Sequence, residues 1–285
     1  MFKRNLDKSV IIELQANELW KKYLKVDCEK QEVFFAIRPN NEIGFYHKGG
    51  RLFSFDEKNK FRTHFKYASV INETNKDYLT EVELKDYKLI SDFCENYSRI
   101  KENCKHYSGV EDTGISEVYR KHSFFSYPSN NIIVLDIEVA FEAIDKTNGR
   151  KQDIIDILLF DTNTQTLKFI EAKHYSNSEI WAENIPKVIN QIKRYEKQIA
   201  KKKTEIIKAY TEYVTTINEI FKKNIPLPEK IEEKVTLLIF GFDRDQQKGR
   251  LTKLILEKEA YKGYVVYPIG EIKKIVLKNL WKVKP

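Results

Sequence analysis

Two strand-like runs only five residues apart constrain this chain most: DIIDILLF at 153–160 and TLKFIEAK at 166–173, joined by the polar DTNTQ. Runs this apolar, bounded by Asp, Asn and Thr, read as buried strands paired antiparallel through a short connection. A third run, IIVLDIEVAFEAI, follows Asn130-Asn131 and ends at a turn predicted over Lys146-Thr147-Asn148-Gly149, residue types that tolerate positive φ. Together the three read as an antiparallel meander.

Strand parity decides which side chains meet. Leu167, Phe169, Glu171 and Lys173 fall on one face, so a carboxylate and an ammonium project together where that strand leaves the core. Asp156 shares its face with Ile154, Leu158 and Phe160, and pairing through DTNTQ brings it beside Glu171. Asp153, of opposite parity, is its rival. Two carboxylates and an amine at one end of a sheet suit phosphodiester hydrolysis, which needs a nucleophilic hydroxide near neutral pH and positive charge against the developing phosphorane. Hard divalent ions take carboxylate and carbonyl oxygens, here from Asp156, Glu171 and the backbone carbonyl of Ala172. Lys173 then orients or deprotonates the attacking water.

Around the meander, Ile115–Phe125 is a short helical candidate. Pro186 opens a helix in which Val188, Ile192, Tyr195 and Ile199 recur at spacings of four and three, with a continuation to Phe221. The basic run Lys201-Lys202-Lys203 reads as ordinary solvated surface. VTLLIFGF is a buried strand, DRDQQKGR a loop, LTKLILEKEAY helix or strand, and YVVYPI a last strand. From about residue 115 the order is helix, three strands, helix, strand.

Asp156 with Glu171-Ala172-Lys173, on neighbouring strands within that order, resembles the PD-(D/E)xK, or restriction endonuclease-like, nuclease superfamily. Gln191-Ile192-Lys193-Arg194-Tyr195 matches the QxxxY element of its RecB-like branch. The resemblance covers roughly residues 115 to 245. It implies that Asp156 and Glu171 bind Mg2+, with Mn2+ able to substitute, that Lys173 assists the water, and that Gln191 and Tyr195 line the site. Glu117 matches the glutamate the superfamily often adds from the first helix, and reads equally well as a surface residue. Ile155 stands where the family's proline would be, a common departure. Asp136, Glu138 and Glu142 share a strand face read as solvent-facing, with approach to the metal as the other reading. His174 lies on the face opposite Lys173 and reads as surface or supporting.

The N-terminal part has a different texture. EVFFAIR, EIGFYHK, RLFSF and THFKYASVI alternate apolar and polar residues, punctuated by Asn-Asn, Gly-Gly and Glu-Lys-Asn-Lys, and read as an antiparallel meander. A helical pattern through Val10, Leu14, Leu19 and Leu24 precedes it, and another from about Val82 to Cys104 is read as a connector. The chain is thus expected to be α/β (α+β): a β-rich N-terminal domain at 1–110 and a nuclease domain at 111–285. Arg38, His47, Lys48, Arg51, Lys60, Arg62 and Lys66 among the aromatics suit nucleic acid or a partner, and equally a half-buried sheet.

Composition excludes other classes. Net charge is +8 with 32% charged residues, compatible with a polyanion partner. Cys28, Cys94 and Cys104 form no CxxC pair and read as reduced thiols, and histidines 47, 64, 106 and 122 lack zinc spacing. GFYHKGG lacks the ending of a phosphate loop. No stretch approaches the roughly 20 apolar residues of a membrane span, and no signal peptide opens the chain, so a cytoplasmic protein is expected. The expected function is a metal-dependent nuclease acting on DNA rather than RNA, in restriction or phage defence, as a homodimer or within a larger nuclease complex. The alternative is a catalytically silent nuclease-fold module that binds nucleic acid or protein.

Overall fold

The computed structural model describes residues 2–69, 80–82, 90, 92–142, 152–181 and 184–283. The chain is mixed α/β and forms two compact units: Leu6–Ser116, and Glu117–Pro285 together with Met1–Asn5. The division lies close to the expected 110/111 boundary, with the first five residues joining the second unit.

The first unit begins with helix α1 (Lys8–Ala16) and α2 (Lys25–Glu29), then a four-stranded antiparallel meander of β1 (Phe34–Arg38), β2 (Glu42–His47), β3 (Gly50–Asp56) and β4 (Lys60–Arg62). Asn40 and Asn41 adopt φ of 63° and 58° at the first hairpin, and Lys48 and Gly49 adopt 51° and 92° at the second. These are the left-handed conformations a tight hairpin needs. Phe35, Phe45 and Phe53 are buried in the core beneath Trp20, Phe61 and Tyr97. The basic residues of this sheet largely meet acids or rings of the same unit. Arg51 and Arg62 bind Glu42, each at 2.8 Å, Arg62 also binds Asp56 at 2.7 Å, and Lys60 pairs with Glu13. Arg38 is buried against the Tyr46 hydroxyl at 3.0 Å. A half-buried sheet therefore accounts for them.

THFKYASVI, expected as a strand, is instead a helical turn at Phe65–Ala68, with 70 and 71 outside the described residues. The Asn103 side chain takes the carbonyls of Tyr67 and Ser69 at 2.9 and 2.7 Å, which gives the segment a partner other than a ladder. Of the expected connector, helix α3 (Tyr97–His106) is present; 83–89 and 91 lie outside the described residues.

Helix α4 (Val110–His122) leads into β5 (Ile132–Glu142), β6 (Gln152–Asp161) and β7 (Thr166–His174), the predicted antiparallel meander. The predicted turn at 146–149 lies outside the described residues. Helix α5 (Lys187–Phe221) follows Pro186 and is 35 residues long, with a non-helical φ of −109° at Lys202. Its apolar side, from Val188 to Phe221, is buried. Then come β8 (Lys230–Ile231), β9 (Thr236–Phe240) and β10 (Val265–Ile269). The sheet order is β10-β9-β7-β6-β5, with β9 parallel to both its neighbours and β8 paired to β7. A parallel strand beside an antiparallel meander needs a crossover, and α5 supplies it.

Two further expectations change. DRDQQKGR is helical: Asp243 and Gln246 form a reciprocal capping box that starts Arg244–Gln246, which continues as the wider-turned Gln247–Leu256. The acidic face of β5 does not point to solvent at Asp136. That carboxylate is fully buried, accepts a hydrogen bond from the Tyr210 hydroxyl at 2.8 Å and lies 3.6 Å from the buried Arg4 guanidinium. Ile133, Val134, Leu135 and Ile137 are buried too, so both faces of this part of the strand are covered, and a register shift lies between Val134 and Asp136. Glu142's side chain is outside the described set.

Candidate active site

The site begins where two strands part. β6 and β7 pair from Asp161↔Thr166 to Ile157↔Ile170, and no further, while β6 stays paired with β5 as far as Gln152. Extrapolating the register puts Asp156 opposite Glu171 and Ile155 opposite Ala172. At that point the Ala172 N–H donates to Asp156 Oδ2 at 2.7 Å instead of to a main-chain carbonyl. In an extended strand a residue's N–H and C=O point the same way. The Ala172 carbonyl therefore also faces the opening between the strands.

Glu171 is 2% exposed. Its Oε1 lies 3.0 Å from Lys173 Nζ; its Oε2 is buried and meets no N–H or hydroxyl donor, and the carboxyl stands close enough to Asp156 to share a proton with it. Burial, and then the Asp156 charge, push the Glu171 carboxyl well above its ordinary range, against the opposing pull of Lys173. Lys173 is itself buried and also meets Glu179 Oε2 at 3.4 Å. Gln191 Nε2, from the first turns of α5, approaches the same Glu179 oxygen at 3.4 Å, while Gln191 Oε1 is buried without a partner. Tyr195, one turn further, donates to the Ile154 carbonyl at 2.8 Å and so braces the stretch of β6 that has left β7. Burial, then the nearby Glu171 and Asp156, raise its phenol pKa. The structure thus brings Asp156, Glu171, Ala172 and Lys173 together, with Gln191 and Tyr195 bracing them.

The other candidate residues have partners of their own. Asp153, the rival, turns to the α5 side. Gln198 Nε2 donates to its Oδ2 at 2.6 Å and Arg194 Nε to its Oδ1 at 3.4 Å, which makes it a buried anchor for the helix. Glu117 lies on α4 and pairs with Arg120 one turn on, at 3.8 Å. His174 binds Ser176 Oγ at 2.7 Å through Nδ1 and packs edge-on to Phe240. Gly241, with φ of 82°, has no room for a Cβ against the His174 ring.

One member was missed by sequence reasoning. Glu179 has only a weak signal, an Asn177 side chain accepting from the Glu179 N–H to form the short turn that presents it. Glu138, read from the sequence as facing solvent or approaching the metal, falls between the pairs Ile137↔Ile157 and Val139↔Ile155, at the register position opposite Asp156, and adopts φ of 47°. Left-handed backbone at a non-glycine inside a strand has no sequence signature.

Two adjoining carboxylates, one with a buried oxygen that no N–H or hydroxyl donor meets, and a carbonyl facing the same opening fit a hard divalent cation. Among the described residues no group of three or more His, Cys, Asp or Glu side chains is gathered as a metal cluster, so protein carboxylates would supply only part of a coordination shell. Mg2+ characteristically keeps several waters. The chain matches no known protein family, no curated protein and no solved structure.

Proposed function

We propose that the chain is a metal-dependent nuclease of the PD-(D/E)xK type that hydrolyses phosphodiester bonds in DNA. The observation that carries this reading is the buried Glu171 Oε2, met by no N–H or hydroxyl donor, beside Asp156 at the point where β6 and β7 part, with Lys173 Nζ 3.0 Å from the same carboxylate. A buried carboxylate oxygen without a donor is costly unless a cation or proton meets it. Asp156, Glu171 and the Ala172 carbonyl would hold Mg2+ or Mn2+, which supplies an activated water and offsets charge on the phosphoryl oxygens.

The chain's own groups do the rest. Lys173 places an ammonium at the edge of the site, where it orients the attacking water and offsets phosphate charge. Glu171 and Glu179 hold that ammonium from two sides, and Gln191 steadies Glu179 from α5. Tyr195 keeps β6 in its parted position. No helix among the described residues is long and apolar enough to cross a membrane.

Supercoiled plasmid and single-stranded DNA, incubated with wild type or Lys173→Ala in Mg2+ or EDTA, test the proposal. Mg2+-dependent cleavage by the wild type, lost in the variant, supports it; no cleavage of either DNA favours a binding module.

A further inference from the structure

Beyond the carboxylate centre, the helical segment Arg244–Gln246 and Gln247–Leu256 places exposed cations next to the end of the sheet that carries Lys173. Its place in the fold is fixed by β9, which runs parallel to β7 in the register Lys173↔Ile239 and His174↔Phe240. The chain leaving β9 therefore emerges beside the end of β7 that carries Lys173, and the segment starts just after it, capped by Asp243. It is fastened to the turn that supports the lysine. The Tyr261 hydroxyl donates to the Ile180 carbonyl at 2.8 Å, and the Arg250 guanidinium lies 4.3 Å over the Trp181 ring. Trp181 in turn donates to the Tyr175 carbonyl at 2.7 Å. Glu179, in that same turn, touches Lys173.

Arg244, Lys248, Arg250 and Lys253 are all exposed on this segment. None of them meets a carboxylate among the described residues, although Asp245 and Glu257 lie on the same segment. Between Lys248 and Arg250, Gly249 has open space where a Cβ would be, so a ligand can approach the backbone closely. Leu251 and Ile255 are buried beneath, so the segment is anchored on its inner side. Cations left unpaired at the rim of an anionic centre suit a polyanion that must lie across both.

We infer that this segment docks the phosphodiester backbone of the substrate, with one strand's phosphates along Lys248, Arg250 and Lys253. The inference rests on the nuclease reading for its choice of substrate. It predicts binding that is insensitive to base sequence and steeply dependent on salt, because phosphate contacts position a nucleic acid without reading it.

The test is fluorescence anisotropy of a labelled duplex and a labelled single strand in EDTA across a KCl series. Wild type is compared with the triple variant Lys248→Ser, Arg250→Ser, Lys253→Ser and with a control of equal charge change, Lys201→Ser, Lys202→Ser, Lys203→Ser. Loss of three contacts lowers the slope of log affinity against log salt by about 2.7 on duplex, at roughly 0.9 per contact, and by about 2.1 on a single strand. Affinity near 0.1 M salt then falls by roughly two orders of magnitude, and the control changes little. Equal effects of the two triples overturn the inference. Cleavage assays in Mg2+ separate the two readings. Cleaving wild type with a helix triple that binds normally defeats the docking inference alone. Helix-dependent binding without any cleavage supports docking and defeats the nuclease.

Discussion

Asp156 Oδ2 accepts the Ala172 N–H at 2.7 Å, in the place that the strand register assigns to the main-chain carbonyl of Ile155. One carboxylate thus both closes the ladder and borders the opening between β6 and β7. Structure and chemistry are separable here. Asp156→Asn keeps an acceptor for Ala172 and is expected to melt close to wild type. Asp156→Ala leaves that N–H unpaired and is expected to cost about 1–3 kcal/mol. Both variants lose cleavage by roughly a hundredfold or more, because the charge at the metal is gone. Thermal melts beside cleavage rates check this; an active Asp156→Asn would remove Asp156 from the metal site.

Glu171 gives the protein a pH signature. Burial and the Asp156 charge raise its folded pKa well above 4.5, the value expected of the unfolded chain. The folded state therefore keeps a proton that the unfolded chain gives up near pH 4.5. The stability tied to this group is complete below that pH and is lost as pH rises towards the folded pKa. In EDTA, Glu171→Gln should be more stable than wild type at pH 7, by a margin that grows from about pH 4.5 upward. Mg2+ should stabilise the wild type by about 2.7 kcal/mol at a hundred times its Kd, and do so less as pH falls. Chemical denaturation across pH measures it, and a margin that shrinks with rising pH contradicts the burial argument.

Asp153 is expected to matter for stability and little for cutting. Asp153→Ala strands Gln198 and Arg194 on α5 and should cost about 1–3 kcal/mol, with cleavage by the folded protein within about threefold of wild type. A hundredfold loss of activity in a variant that still folds would make Asp153 the ligand after all.

The meander and its parity were legible because strands read with period two, so DIIDILLF and TLKFIEAK fix which side chains share a face and the DTNTQ connection fixes their register. That is why Asp156, Glu171 and Lys173 could be named together. Gln191 and Tyr195 were legible only through the resemblance, since the spacing alone does not say which strand their helix crosses. The Glu179 brace escaped because it depends on where the chain goes after a strand ends, and the left-handed φ of Glu138 escaped because a non-glycine residue inside a strand gives no sign of it. Asp136 was misassigned for a related reason: β5 is covered on both faces there, with Ile133 to Ile137 all buried, and a solvent-facing side read from alternation assumes one face is open. In the N-terminal sheet, basic residues that look like a phosphate track in one dimension prove to face Glu42, Asp56 and Glu13 in three. The capping box at Asp243 and Gln246 was readable as a D-x-x-Q signature, but the DRDQQKGR polarity masked it.

The most direct test of the central claim asks whether the cation site and the cutting site are one. Mg2+ is titrated into wild type and Glu171→Gln while melting temperature and the initial rate of DNA cleavage are followed in parallel. The account predicts that both responses share one midpoint in the wild type and that both vanish in Glu171→Gln. Undiminished Mg2+-dependent cleavage by Glu171→Gln, or a wild type that Mg2+ stabilises but that cuts no nucleic acid, would contradict it.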